Sequence, residues 1–454
     1  MSTKNSGSLN FRGTRDWFGD EMRWRKSIVS TIENVFESFG FEPLETPILE
    51  TMKTLTGKYG EEGEMKLFRL TGNGTDIRRG GLRYDHTVPL ARAVALNWNR
   101  LIMPYRRYAI GPVFRNESTQ AGRFRQFYQC DFDTIGSDSL LVDAEIPTMN
   151  YRVLTALGFP VGSFQILVND RRLLNALARY IEADDNQMLE IFRAWDKLEK
   201  VDRESVRKEL LDKGLSFRLV SAFDRLTDVL QNATELSATD SLAKISSAMN
   251  TPEVTSAVRV VDDLFSYISA SGVPPWAVRF YPLLARGLDY YTGPIFETSA
   301  GELGSITGGG RFDQLIGQLG GPDLPASGSS FGLERLMVVL EELELKPEFV
   351  KPADVFVTVF DQQNPQLIRS SFELASSLRQ AGFRVEVYTG SNARLGKQLD
   401  ICRRKNIPVA LIVGEEEISS GNVAVKNMVS SRSGGNQSII PKKELETFVA
   451  GLLG

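Results

Sequence analysis

The sequence predicts an α+β fold, an antiparallel sheet interrupted by a helical insertion and followed by a smaller α/β unit. Three observations carry this expectation. Residues 77–135 run in apolar or alternating stretches of strand length joined by polar turns; from Arg171 to about Ser271, leucines and charged residues recur at helical spacing with almost no strand signal; beyond Lys346–Pro352 (KPEFVKP), strands and helices alternate. A chain of 454 residues that is 42% hydrophobic is long enough for two or three domains with sizeable cores. We therefore expect a core over 1–345 with its insertion at about 171–275, a linker over 346–352, and a second domain over 353–454.

The elements follow in order. Trp24–Phe39 places Ile28, Ile32, Val35, Phe36 and Phe39 at helical spacing, and Gly40 stops the helix. Phe41–Leu49 carries Pro43 and Pro47, which suits an edge or interface strand. Ile77–Tyr84 and Tyr105–Val113 read as strands, Val88–Asn97 as a helix opened by Pro89, and Asp138–Leu157 as an amphipathic helix. The insertion reads as helices over 173–183, 187–198, 203–213, 216–230 and 254–269, whose Lys and Arg residues are taken as solvated faces. In the last unit, strands at 354–360, 384–388, 408–414 and 422–428 alternate with helices at 365–381, 395–405 and 442–452.

Composition excludes several chemistries. Cys130 and Cys402 are the only cysteines, so there is no multi-cysteine zinc site and no disulfide framework. His86 is the only histidine, which rules out histidine triads and paired-histidine metal sites; we read it as a packing residue. The opening MSTKNSGSLN lacks a signal-peptide core, and no apolar run approaches the roughly 18 residues of a membrane span, so a soluble, cytoplasmic protein with no membrane partner is expected. Net charge is −4, so any nucleic-acid partner must use local patches.

Two arginine-bearing stretches point to chemistry. In Tyr105–Gly136, Arg106, Arg107, Arg115, Arg123 and Arg125 alternate with apolar and aromatic residues, as in a strand-loop-strand floor that carries cations toward a polyphosphate. The alternative is a half-exposed hairpin whose arginines are solvated. The second stretch is Arg286–Glu297 (RGLDYYTGPIFE).

Phe114-Arg115-x-Glu117, its loop and the returning RQFYQCDFD resemble motif 2 of class II aminoacyl-tRNA synthetases, and RGLDYYTGPIFE is similar to a signature of the histidyl-tRNA synthetase family. GTRDW (13–17), RYDHT (83–87), GGGRFD (308–313) and FGLERL (331–336, motif 3) extend the likeness in the family's order. The resemblance implies a class II antiparallel catalytic core, a C-terminal α/β anticodon-binding domain, and a homodimer built on the 41–49 segment with its Pro47. It also implies ATP-dependent attachment of L-histidine to histidine tRNA through a histidyl-adenylate, with Mg2+ accompanying ATP.

By the same resemblance, Arg115 grips the α-phosphate and the substrate carboxylate. Arg286 is a fixed cation at the α-phosphate and borders the histidine site. Arg335 lies against adenine near the γ-phosphate, and Glu117 accepts from the adenine amino group. Asp133 and Tyr290 hold the imidazole, Tyr291 closes that pocket, and Asp85, Thr87 and Gln129 hold the α-amino group. Gly308, Gly309 and Gly310 are expected to bring backbone close to substrate. Arg394, Lys397, Arg403, Arg404 and Lys405 are candidates for tRNA phosphates or an ordinary solvated face. The loop NESTQAGRF lacks the basic and proline residues usual after Arg115, leaving Gln120, Arg123 and Arg125 for the acceptor end. The competing reading is a non-synthetase paralogue, the regulatory subunit of ATP phosphoribosyltransferase, which generally lacks the last domain and intact ATP motifs; this chain keeps both. A synthetase for proline, threonine or glycine fits RGLDYY less well.

Overall fold

The hairpin expected between Tyr105 and Gly136 forms the second and third strands of an eight-stranded sheet. The computed structural model describes residues 9–72, 79–198, 201–285, 290–347, 351–391, 394–429 and 437–453. Contacts group the chain into two units, one running to Asp16 and over Lys26–Lys346, the other comprising Trp17–Arg25 and the residues from Pro347 onward.

In the first unit the strands are β1 (Glu42–Pro43), β2 (Leu49–Thr51), β3 (Gly80–Leu82), β4 (Tyr105–Phe114) and β5 (Gln126–Ile135). There follow β6 (Phe164–Asp170), β7 (Val278–Phe280), β8 (Pro294–Ala300), β9 (Ser305–Arg311) and β10 (Ala326–Gly332). β2 and β3 pair with each other, and the rest form one sheet in the order β1-β4-β5-β10-β9-β8-β6-β7. Every pairing in it is antiparallel except β1 with β4 and β6 with β7, at the two margins. Pro43 sits on the edge strand, where a missing backbone donor costs least. Of the strand expected over 77–84, Gly80–Leu82 is observed, and residues 73–78 lie outside the described set.

Because side chains alternate across a strand, the sheet has a back and a front. On the back, helix α1 (Gly19–Ser38) buries Ile28, Ile32 and Phe36, and the Phe36 ring lies 5.8 Å from Tyr108 of β4 and 5.0 Å from Phe132 of β5. Helices α2 (Met52–Leu55), α3 (Gly60–Met65) and α4 (Thr87–Asn97) precede the hairpin. Helix α5 (Leu140–Ala156) also covers the back: Asp143 takes Arg311 Nη2 at 2.6 Å and the Ser327 hydroxyl at 2.8 Å. Burial pushes the Asp143 carboxyl up, while the Arg311 pairing pulls against it.

The insertion is six helices, one more than expected: α6 (Arg171–Tyr180), α7 (Asp185–Lys197), α8 (Arg203–Asp212), α9 (Phe217–Thr234), α10 (Ala238–Ala248) and α11 (Pro252–Ala270). Asp170, Asp184, Asp202, Ser216, Ser237 and Thr251 each cap one with a side-chain oxygen, and Asp184 with Gln187 forms a full capping box. At the centre of their common core Trp195 is fully buried between Phe192 and Phe223, with ring centroids 5.9 and 5.8 Å away, and its Nε1 donates to Thr227 Oγ1 at 3.1 Å. Helix α12 (Leu333–Glu342) leaves the end of β10.

In the second unit, β11 (Val355–Val357), α13 (Pro365–Gln380), β12 (Val385–Val387), α14 (Leu395–Arg404) and β13 (Val409–Ile412) alternate. Helix α15 (Glu415–Ser420), β14 (Asn422–Asn427), β15 (Gln437–Pro441) and α16 (Leu445–Leu453) complete it, with strand order β12-β11-β13-β14-β15. β11, β12 and β13 are parallel, as the intervening helices require, and β14 and β15 add antiparallel. Gln398 is buried with its amide bridging Val359 N and O at 2.9 and 2.8 Å, which ties α14 to the segment that leaves β11.

Replacing Trp195 with alanine is expected to lower stability by about 3–5 kcal/mol. Chemical denaturation checks this, and a loss below about 1 kcal/mol would show that the insertion core does not depend on that ring.

Candidate active site

The front of the sheet is built from alternate positions of three adjacent strands. Gln129, Asp131 and Asp133 of β5 face forward, opposite Gly111, Ala109 and Arg107 of β4 and opposite Gly332, Ser330 and Gly328 of β10. Arg107 is fully buried and its Nη2 lies 2.5 Å from Asp133 Oδ2. A Cβ on Gly328 would stand 2.1 Å from Asp133 Oδ1, so glycine there makes room for the carboxylate. Burial pushes Asp133 up to about 6; Arg107 pulls it down and Asp85 pushes it up. Asp131 is pushed up to about 7 by burial, against Arg107, with Asp133 adding to the rise.

Above this floor lies a cavity of about 380 Å³ walled by Tyr84, Arg115, Arg123, Phe127, Gln129, Tyr291, Gly308, Ser330 and Arg335, among others, and reached from the insertion by Asp196. A smaller one of about 160 Å³ shares Arg115, Arg123, Phe127, Gly332 and Arg335 and adds Glu117 and Glu334. Arg115 stands over the rings of Tyr84 (4.2 Å) and Phe127 (5.2 Å) and donates from Nε to Tyr84 O at 3.1 Å. Among the described residues no carboxylate pairs with Arg115 or Arg123. The aromatic faces and one carbonyl hold the Arg115 guanidinium in place while its remaining donors stay available. Arg335 Nη2 donates to Leu303 O at 2.6 Å, which fixes its reach across the cavity wall. Gln129 Nε2 donates to Ser330 Oγ at 3.0 Å, and its Oε1 is buried without a hydrogen-bond partner.

The structure thus brings Arg115, Glu117, Gln129, Tyr291 and Arg335 to the cavity walls. Asp133 lies in the floor beneath and does not line them. Tyr290 is buried behind Tyr291, ring centroids 5.1 Å apart. Asp85 Oδ1 accepts from Val88 N, in the first turn of α4, at 3.0 Å and from Tyr59 OH at 3.2 Å, and Thr87, half-buried, opens that helix. Arg286 lies outside the described residues. Gly308 lines the cavity, while a Cβ on Gly309 would meet Gly328 O and Ser329 at the back, and one on Gly310 would meet the Tyr291 ring. Asp131 and Asp196 were not singled out by sequence reasoning. Asp131 had a usable signal, since it shares the strand face of Gln129 and Asp133; Asp196 had none.

A family model described as Histidyl-tRNA synthetase matches residues 13–336, and one described as Anticodon binding domain matches 354–452. The chain belongs to the histidyl-tRNA synthetase family. A histidine–tRNA ligase of Gloeobacter violaceus is 36% identical, over 97% of this chain and 98% of its own. One from Bacteroides fragilis is 37% identical, over 96% and 97%. The crystal structure of histidyl-tRNA synthetase from a Nostoc species matches with a TM-score of 0.80 at 28% identity, covering 98% of this chain and 100% of that one. The fold also recurs, at TM-score 0.71 and 20% identity, in a Bacillus halodurans protein described as an ATP phosphoribosyltransferase regulatory subunit/histidyl-tRNA synthetase; the match covers 89% of this chain and 98% of that one.

His86, the residue beside Asp85, is a buried neutral ring. Its Nε2 lies 3.2 Å from Gly111 O, its Nδ1 has no partner, and burial with Arg83 and Arg107 nearby pushes it down to about 3. It is no proton carrier at neutral pH. Its folded pKa lies below the unfolded value, so its contribution to stability is complete above about 6.5 and is lost as pH falls from there toward 3. His86→Leu is expected to keep activity and to gain stability relative to the parent as pH drops below about 6.5, by at most about 1.4 kcal/mol per pH unit. Thermal melts across that range check this, and a pH-independent difference contradicts it.

Proposed function

We propose that this chain activates L-histidine with ATP and transfers the histidyl group to histidine tRNA. A division of charge within one site carries the reading: the guanidinium groups of Arg115 and Arg123, which no carboxylate pairs among the described residues, stand with Arg335 on the cavity wall, and the carboxylates of Asp131 and Asp133 lie in the floor. The wall suits a polyphosphate and the floor a cationic amino acid. The substrate carboxylate attacks the α-phosphorus and pyrophosphate leaves; a terminal ribose hydroxyl of the tRNA then attacks the acyl carbon and AMP leaves. Negative charge grows on oxygen in both steps, and fixed guanidinium groups stabilise it without reorganising.

In this reading Arg115 holds the α-phosphate and the amino-acid carboxylate, joined by Arg286. Arg335 stacks on adenine near the γ-phosphate, and Glu117, whose carboxylate borders the smaller cavity, accepts from the adenine amino group. Asp133 and Tyr290 orient the imidazole under Tyr291, and Thr87, Asp85 and Gln129 receive the ammonium. Magnesium enters largely through ATP phosphates and needs only one or two protein carboxylates. No cluster of three or more metal-ligating side chains occurs among the described residues, and Glu117, Glu334 and Asp196 are the carboxylates at hand. We assign catalysis to 1–345, with the insertion at about 171–275, a linker to 346–352, and anticodon binding to 353–454. Lys397, Arg403, Arg404 and Lys405 are exposed on or beside α14, where they suit tRNA phosphates; Arg403 also pairs with Asp400 and Lys405 with Glu386.

We infer a cytoplasmic homodimer. No helix among the described residues is long and apolar enough to cross a membrane. Ile48, Leu49, Trp98 and Ile102 are 40–88% exposed near the edge of the sheet, and a second copy would cover them. Light scattering is expected to give twice the chain mass, and a monomer at micromolar concentration would contradict the dimer.

Amino-acid-dependent ATP–pyrophosphate exchange tests the activity. Histidine alone should support it, and Arg115→Ala or Arg286→Ala should lower it at least about 100-fold in a folded protein. Absence of exchange with every amino acid, histidine included, as a purely regulatory paralogue would give, overturns the reading; near-normal exchange in Arg286→Ala removes that residue's role.

A further inference from the structure

The floor of the site holds one carboxylate oxygen more than the assigned contacts use. Asp131 is 2% exposed and its Oδ1 has no hydrogen-bond partner among the described residues. It sits between Gln129, which lines the cavity, and Asp133 on the same strand face. Its cross-strand neighbour Ser330 and the residue opposite Ser330, Gly308, both wall the cavity. Asp133 lies against Arg107 at 2.5 Å, and Asp85, which shares the ammonium, already has its Oδ1 taken by Val88 N and Tyr59 OH. An unpaired buried acceptor is costly unless a ligand completes it.

Resting on the histidine-activating reading, we propose that Asp131 is a further counter-charge of the substrate's α-ammonium beside Asp85, a substrate-binding residue in addition to Asp133. The ammonium is the one group on histidine that is cationic throughout the neutral range. An imidazole served by Asp133 leaves it within a residue's length of Asp131. Gln129, whose Oε1 is also unpartnered, flanks the same position.

The charges around Asp131 set a pH signature. Burial raises it most; Asp133 and Asp85 raise it further, while Arg107 and the Ser330 hydroxyl lower it, to a net value of about 7. Arg83 and Tyr290 also feel its charge. An arriving ammonium favours the ionised carboxylate. Below about pH 7 histidine binding therefore expels a proton, and affinity climbs as pH rises toward that value and flattens above it.

Calorimetry on the full-length protein and Asp131→Asn tests this with two probes: histidine, and 3-(imidazol-4-yl)propionate, which lacks the ammonium. The variant should bind histidine about 10- to 100-fold more weakly at about pH 8, with the ratio shrinking below pH 7, and should bind imidazolepropionate as the parent does. The titration of the ligand's own ring is common to both proteins and drops out of the ratio. Equal losses for both probes, or no loss for either, overturn the proposal. Ser330→Ala gives an independent check, since losing the hydroxyl should move the pH midpoint for histidine upward; an unmoved midpoint overturns it too. If the unaltered protein neither binds histidine nor shows histidine-dependent exchange, the activating reading itself fails.

Discussion

The register of β4 against β5 and of β5 against β10 is the constraint on which the site depends. Strand side chains alternate with a period of two, so a slip of one residue would turn Arg107, Asp131 and Asp133 into the packing behind the sheet and bring Tyr108 and Phe132 forward. Two features hold the register. Behind the sheet, Phe36 of α1 packs on both Tyr108 and Phe132; in front, the absence of a Cβ at Gly328 makes room for the Asp133 carboxylate. The apolar core and the polar floor therefore specify the same pairing from opposite sides.

That floor is held in an unfavourable electrostatic state. Asp131 and Asp133 are desolvated together with Arg107 as their nearest cation, and burial keeps both well above the ordinary carboxylate range. The wall shows the converse: Arg115 is supported by two aromatic rings and a carbonyl rather than by a carboxylate. Buried or walled charges that lack full partners are destabilising for the free protein and are compensated elsewhere. The insertion core around Trp195 and the capped helices that surround it are one such source of stability, and they also carry Asp196 to the cavity rim.

Much of this was legible in the sequence, for physical reasons that differ by element. The hairpin was readable because its apolar alternation is strong and its turn polar, and Arg115, Glu117, Gln129 and Arg335 were readable because the family motifs fix their places; all four reach the cavity walls. Helix α10 was not, because ATDSLAKISSA offers few large apolar residues and its Leu242 and Ile245 are buried only through tertiary packing. Strand β15 was missed because it alternates weakly and lies at a sheet edge. Which of Gly308, Gly309 and Gly310 lines the cavity was not legible, because a glycine run does not reveal which face each member takes; pairing with β10 does. The reach of Asp196 depends on how the insertion packs over the sheet, which no local pattern encodes.

The most direct measurement is a crystal structure of the protein with a non-hydrolysable histidyl-adenylate analogue. The analogue should lie across the front of the sheet, its phosphate between Arg115 and Arg286, its adenine under Arg335, and its imidazole over Asp133. Density for the analogue in the roughly 400 Å³ hollow between α6 and α9, or at any position that leaves Arg115 and Asp133 untouched, would contradict the account.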